Sequence, residues 1–292
     1  MAAGTLHHGI VFPQTEIGAD PGAVRAFAEA SEELGFDGLM LYDHVLGADR
    51  TNRPDWSGWY DLQHMFHEIF VTLGYMAAVT RRIRLVTGIV ILPQRQTALV
   101  AKQAAEVDVL SQGRLTLGIV VGWNDVEFVA LEKDFGNRGK RSEEQIEVLR
   151  ALWTQESVDF EGKDHRLPQV GINPLPVQRP IPIWIGGDAD PVLERTARIA
   201  DGWIPISSPE DTEPKLEQLA RHCEKLGRSH ADLEIVSTIS LEGRDFDWVA
   251  GQVERWKKLG ATGIYLDAMN SGRSGPDAHI EVAAQFKALL GG

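Results

Sequence analysis

Apolar residues recur along this chain in two alternating registers, short continuous runs and longer stretches at spacings of three and four, the signatures of buried strands and of helices with one buried face. Leu6 to Phe12 is such a run, and Asp20-Pro21 then supplies an N-cap and a first-turn proline. The helix that follows would carry Val24, Phe27, Ala28, Ser31 and Leu34 on one face and end at Gly35, where a left-handed residue is wanted. A strand at 38–42 comes next. Near the other end, Leu259 to Asp267 repeats the grammar of Leu34 to Tyr42: helix end, glycine turn, buried strand. Looser copies stand at Leu110 to Gly118 and Ile199 to Ile204. Repeated αβ units with short turns imply a parallel sheet.

The pattern predicts strands at 6–12, 38–42, 83–91, 115–121, 182–186, 202–206, 233–239 and 263–267. Helical patterns separate them, including Ile69/Leu73/Met76, Val100/Ala104/Val107, Ile146/Leu149/Trp153 and Leu216/Leu219/Cys223, and a last helix falls at 277–290. Ser142 with Gln145 reads as a capping box, and His67 as the cap of the second helix. The expected fold is one (β/α)8 TIM barrel over residues 1–292, with an open doubly wound sheet as the alternative. Two segments exceed minimal units. Residues 43–67, rich in Trp56, Trp59 and Tyr60, form a long loop after the second strand, and the Trp content argues against disorder. Residues 155–181, with Pro168, Pro174, Pro176 and Pro180, form an irregular insertion before the fifth strand, read as scaffold on the face opposite the site.

Composition narrows the partners. A net charge of −13 with no basic stripe excludes nucleic acid. The longest apolar run, Tyr75 to Val79, is far short of the roughly 20 residues that span a bilayer, so no membrane is expected. Met1 to Thr5 has no basic segment, so no secretion signal is expected, and the single Cys223 fits packing in a reducing cytoplasm.

In a barrel the chemistry sits after the strands. The second strand ends in Asp43-His44, the fourth in Gly122-Trp123-Asn124-Asp125 and the fifth in Gly186-Gly187-Asp188. Of these only His44 titrates near neutrality, so it is the candidate proton carrier. Metal hydrolysis fails on spacing. His7 and His8 are adjacent and point to opposite faces of a strand, and His67-Glu68 lacks a second His four residues on. No metal site is expected. Gly186-Gly187 before a helix resembles an anion-binding turn. Trp153, Trp203 and Trp256 read as packing, whereas Trp123 either lines a cavity or packs beneath a loop.

Taken together, Phe36 to His44, Leu85 to Pro93, Ala101 to Leu115, Gly122-Trp123-Asn124, Arg138 with Arg141, Ile183 to Gly187 and Ala200 to Trp203 resemble the luciferase-like flavin or deazaflavin oxidoreductases of the bacterial luciferase superfamily. The resemblance implies hydride transfer between a bound cofactor and a small organic substrate. It implies coenzyme F-420 (a deazaflavin), with FMN and monooxygenase chemistry as the alternative, and a homodimer. It places Asp43 and His44 at the reacting centre, with Asp43 either orienting His44 or touching the cofactor. Gly88-Ile89 would form a bulge, often a non-proline cis peptide, behind the cofactor ring. Gly122, Trp123, Asn124, Gly186, Gly187 and Asp188 would complete the cofactor site. Trp123 stands where sugar-phosphate dehydrogenases of the family carry a catalytic Glu, so that activity is not expected. A non-catalytic flavin-binding barrel and a cofactor-free lyase or isomerase are the readings from other classes.

Overall fold

The computed structural model describes residues 6–291; residues 1–5, on which the expectation about secretion rests, lie outside them. The chain runs β1 (His7–Val11), α1 (Pro21–Glu33), β2 (Gly38–Leu41), α2 (Ile69–Val79), β3 (Arg84–Thr87), β4 (Val90–Ile91), α3 (Thr97–Ser111), β5 (Leu115–Val120), α4 (Asp125–Ala130) and α5 (Arg138–Thr154). It continues with β6 (Val158–Glu161), β7 (Arg166–Val170), β8 (Ile183–Gly186), α6 (Asp190–Ile199), β9 (Gly202–Ile204), α7 (Pro209–Lys225), β10 (Glu234–Ser240), α8 (Phe246–Lys258), β11 (Gly263–Asp267) and α9 (Pro276–Leu290). All strands but β6 and β7 form one parallel sheet, and pairing of β3 with β5 closes it into an eight-stranded barrel, β3 and β4 being two halves of one strand. The open sheet is excluded.

Both faces of each barrel strand are buried, which is why the strands read as continuous apolar runs. In β2, Leu39 and Leu41 join the layer between sheet and helices, whereas Met40 points inward with Val11, Val86, Trp184, Ile204, Val236 and Tyr265. Tyr265 fills the interior over β1 and β2. A β-carbon at Gly9 or Gly38 would overlap its ring, so those glycines make room for the phenol. Below it the Arg84 guanidinium pairs with Glu234 at 2.9 Å and lies 5.5 Å from the Trp184 ring centre, closing the N-terminal end. Trp153, Trp203, Trp256 and Cys223 are buried, as their periodicity predicted.

Four local expectations need correction. The predicted strand 83–91 divides in two, at the cis peptide between Gly88 and Ile89 that the resemblance implied. The Ser142–Gln145 capping box does not form, because α5 starts one turn earlier at Arg138; Gln145 instead donates to the carbonyls of Leu92 and Arg95 at 3.2 and 3.3 Å. His67 does not cap α2. Its Nε2 meets the Gly18 carbonyl at 3.1 Å, and Glu68 caps the helix by accepting from the Val71 amide at 2.8 Å. Finally, the insertion 155–181 contains the antiparallel hairpin β6–β7. Its His165 bonds Glu144 and Thr97, each at 2.6 Å, so the tip reaches the start of α3 on the C-terminal side of the barrel.

The packing at Tyr265 makes a directional prediction. Gly38→Ala and Gly9→Ala should each destabilise by about 1–3 kcal/mol through overpacking, measured by urea denaturation. Gly38 faces the phenol oxygen and Gly9 the ring edge, so Tyr265→Phe should recover part of the Gly38→Ala loss and little of the Gly9→Ala loss.

Candidate active site

The C-terminal mouth is built around His44, just beyond β2. Nδ1 lies 3.0 Å from Glu127 Oε2, and the ring is enclosed by Tyr60, Phe66 and Trp123 at centroid distances of 5.4, 4.9 and 5.7 Å. The His44 side chain is 9% exposed and that of Glu127 is 0% exposed. Glu127 comes from α4, a six-residue helix capped by buried Asn124, whose Oδ1 accepts from the Glu127 amide at 3.4 Å. Its carboxylate also accepts from the amides of Val45 and Leu46 at 2.6 and 3.1 Å. Burial alone would raise the Glu127 pKa, but His44 and these amides outweigh it and hold the carboxyl below its ordinary range. An ionised Glu127 accepts from Nδ1–H, a tautomer assigned from the bonding pattern, and leaves Nε2 for a substrate.

Asp43 is not part of this arrangement. Its side chain is 1% exposed, makes no hydrogen bond to His44, and accepts from Arg95 Nη2 at 2.6 Å, Arg95 Nε at 3.3 Å and the Ile91 amide at 3.1 Å. Burial works against the Arg95 charge, yet Asp43 and Glu68 keep its pKa raised. The expectation that Asp43 orients His44 is corrected: Glu127 does so, and Asp43 clamps the end of β2 to β4 and the α3 entry. The two side chains diverge, Asp43 toward Arg95 and His44 toward Glu127.

The other predicted positions fall into two groups. Ile89 packs on the barrel interior and stands over Gly118 and Gly186, where a β-carbon would meet its side chain; Gly88 likewise leaves room for Met40. Gly122, at φ 82°, turns the chain from β5 into α4, and Trp123 then lies half-exposed against His44 and, at 5.9 Å, Trp56. Thus His44, Trp123 and Asn124 gather on one side of the mouth, and Ile89 meets Gly186 on its floor. The Gly186-Gly187 turn offers fewer donors than expected. The Gly187 amide is spent on the Ile204 carbonyl at 3.1 Å, and its carbonyl accepts from Trp203 Nε1 at 2.8 Å. Asp188 accepts from the Ile206 amide at 3.1 Å and from Ser207 Oγ, and pairs with Lys215 at 3.3 Å. Among the described residues no group of three or more His, Cys, Asp or Glu could hold a metal ion, and no helix is long and apolar enough to cross a membrane.

Residues 2–245 match the family model for luciferase-like monooxygenases. The chain belongs to the luciferase-like monooxygenase family. Among its luciferase-like relatives, an uncharacterized protein of Mycobacterium tuberculosis (strain ATCC 25618 / H37Rv), Rv0940c, is 32% identical over 256 residues, 86% of each chain. The FMNH(2)-dependent dimethylsulfone monooxygenase of Pseudomonas putida is 32% identical over 142 residues, 47% of this chain and 39% of that protein. An F420-dependent secondary alcohol dehydrogenase in complex with an F420-acetone adduct superposes with a TM-score of 0.78 at 17% identity, covering 98% of both chains, which shows the shared barrel.

Glu127 is the functional residue that sequence reasoning missed. Asn124-x-x-Glu127 has the spacing of an N-cap followed by an acid at the third helical position, the one signal available. Here the acid turns away from its own helix toward His44.

The clamp generates a stability prediction. Arg95→Ala leaves the Asp43 carboxylate buried without its cation and should cost about 3–5 kcal/mol in urea denaturation. Adding Asp43→Asn to that variant should recover a large part of the loss, because the uncompensated charge is then gone.

Proposed function

We propose that this chain transfers a hydride between coenzyme F-420 and a small organic substrate, with His44 as the proton carrier. The observation that carries the reading is the imbalance of the His44 imidazole, with one nitrogen fixed by a buried carboxylate and the other left free inside an aromatic wall. When bound, the deazaflavin supplies the carbon that gives or takes the hydride. Ile89 and Gly88 would back its ring. Its phosphate would sit at the first turn of α5, where Asn137 makes no side-chain cap bond and where Arg141 Nε is buried without a partner. A small pocket lined by Ser142, Gly186, Val192 and Arg195 joins that turn to the start of α6.

In oxidation, Nε2 takes the proton of a substrate hydroxyl as the hydride leaves the adjacent carbon; in reduction it returns that proton to the carbonyl oxygen. Ionised Glu127 stabilises the imidazolium that forms. Tyr60, Phe66 and Trp123 exclude water around it, which strengthens the ion pair. FMN with monooxygenase chemistry is the second reading, favoured by the FMNH(2)-dependent relative. Length does not separate the two readings, since a monooxygenase structure and the F420-dependent structure are each matched over 97–98% of their chains.

Titrating purified protein with F-420 and with FMN, followed by fluorescence, should show micromolar binding of one of them; binding of neither overturns the proposal. In the holoenzyme His44→Ala should lower turnover by about 10²–10⁴-fold with cofactor affinity nearly unchanged. Glu127→Gln should lower turnover too, and ¹⁵N spectra should show His44 losing its single tautomer. A His44→Ala enzyme as active as the parent removes His44 from the mechanism.

A further inference from the structure

A second couple of titratable groups lies where β11, β1 and β2 end side by side. Tyr42 follows β2 and Asp267 ends β11, and they meet across the end of β1, Tyr42 Oη donating to Asp267 Oδ2 at 2.8 Å. The Met269 amide donates to Asp267 Oδ1 at 2.9 Å, and Gln14 Nε2 donates to the Tyr42 carbonyl at 2.8 Å, so both side chains are held from their own backbones. Each is half-buried, and Tyr42 packs with Ile89 on the inward-facing cluster that floors the mouth.

The charges around Asp267 are one-sided. Among the described residues it has no ion-pair partner, unlike Asp43 and Glu127. The negative charges of Glu16, after β1, and Glu242, after β10, oppose its ionisation, and its own charge acts in turn on Tyr60 of the long loop. Glu16 is itself engaged, 3.0 Å from buried His279 of α9 and accepting from the Asn270 amide at 2.8 Å, with Arg273 acting on His279. Tyr60 connects the two halves of the site, since its ring also packs on His44.

We propose that Tyr42 and Asp267 form a hydrogen-bond switch in the wall of the mouth. With Asp267 ionised, the Tyr42 O–H is spent on the carboxylate. When Asp267 takes a proton from solvent, its own O–H donates to Tyr42 Oη, and the Tyr42 proton turns toward the mouth as a donor for a carbonyl or hydroxyl oxygen. One proton enters and no covalent bond other than the new O–H forms. Burial, reinforced by Glu16 and Glu242, pushes the Asp267 carboxyl up to about 6, which brings the exchange near physiological pH. Tyr42 remains protonated in both states, its pKa raised far above the ordinary value by burial and by Asp267.

The switch is a property of the protein alone; only the identity of the oxygen it meets rests on the proposed function. Infrared difference spectra of the cofactor-free protein between pH 5 and pH 8 should show a carboxyl C=O band that titrates near pH 6 and is absent in Asp267→Asn. Tyr42→Phe removes a bond to the ionised form, so the midpoint should move to higher pH. No such band, or one unaffected by both variants, overturns the switch. For the donor, ¹³C-acetone serves as a neutral carbonyl probe, followed by its carbonyl chemical shift. In a His44→Ala background, which removes the other proton-exchanging group at the mouth, it should bind about three- to tenfold more tightly at pH 5 than at pH 8, the worth of one neutral hydrogen bond, and with no pH dependence once Tyr42→Phe is added. Equal or absent binding at both pH values overturns the substrate-facing role. Failure of the F-420 and FMN titrations would overturn the redox reading and leave these measurements unaffected.

Discussion

A carboxylate shut away from water at the mouth of a barrel must be met by donors, or burial will neutralise it. Glu127 is met by four, the Nδ1 of His44, the amides of Val45 and Leu46 and, at 3.5 Å, Nδ2 of Asn124, and the site follows from how they converge. The two amides open the long loop, so the same carboxylate that orients the imidazole also anchors the loop that covers it. Asn124 fixes the helix from which Glu127 projects, and Gly122 supplies the turn that aims that helix. Two barrel strands, a six-residue helix and a 25-residue excursion are thereby tied at one charge.

Asp43 and Glu127 show how two buried acids near one histidine, one beside it in sequence and the other 83 residues on, take different roles. Asp43 is saturated by a guanidinium and an amide, an arrangement that neutralises its charge and ties β2 to β4. Glu127 faces an imidazole, a partner that can change its charge. The first pair is fixed at every pH near neutrality, since Arg95 stays protonated. The second can store or release a proton. Function therefore depends less on which acid is near the histidine in sequence than on which partner each acid finds.

The barrel was legible because its grammar repeats: helix end, glycine and buried run recur in four copies among eight predicted strands, which leaves little choice of topology. Local details were lost where one residue serves two masters. Ser142 and Gln145 have capping-box spacing, but Gln145 is taken by the carbonyls before α3. His67 precedes α2, yet the longer reach of Glu68 lets it cap the helix and also pair with Arg95 at 3.1 Å. The hairpin 158–170 was hidden by Pro168 and by its short strands. At the site, His44, Trp123 and Asn124 were placed by strand ends alone. Glu127 was missed because α4 is too short to show a helical period.

The loop over the site owes its order to charges satisfied within itself. Arg50 pairs with Asp61 at 2.5 Å, donates to the Gly58 carbonyl at 2.7 Å and lies 5.3 Å from the Trp56 ring centre, and Asp61 also bonds His64 at 2.8 Å. Gly58 has no side chain because the indoles of Trp56 and Trp123 close on it from both sides. The loop presents Val45, Leu46, Leu62 and the 80%-exposed Trp59 outward and aromatic rings inward. An aromatic wall has no charge with which to select a substrate by sign, so polar selection falls to the few titratable groups that interrupt it. Those are His44, whose imidazole Glu127 holds, and Asp267, whose charge no cation balances among the described residues, and the contrast between them gives the mouth its chemical direction.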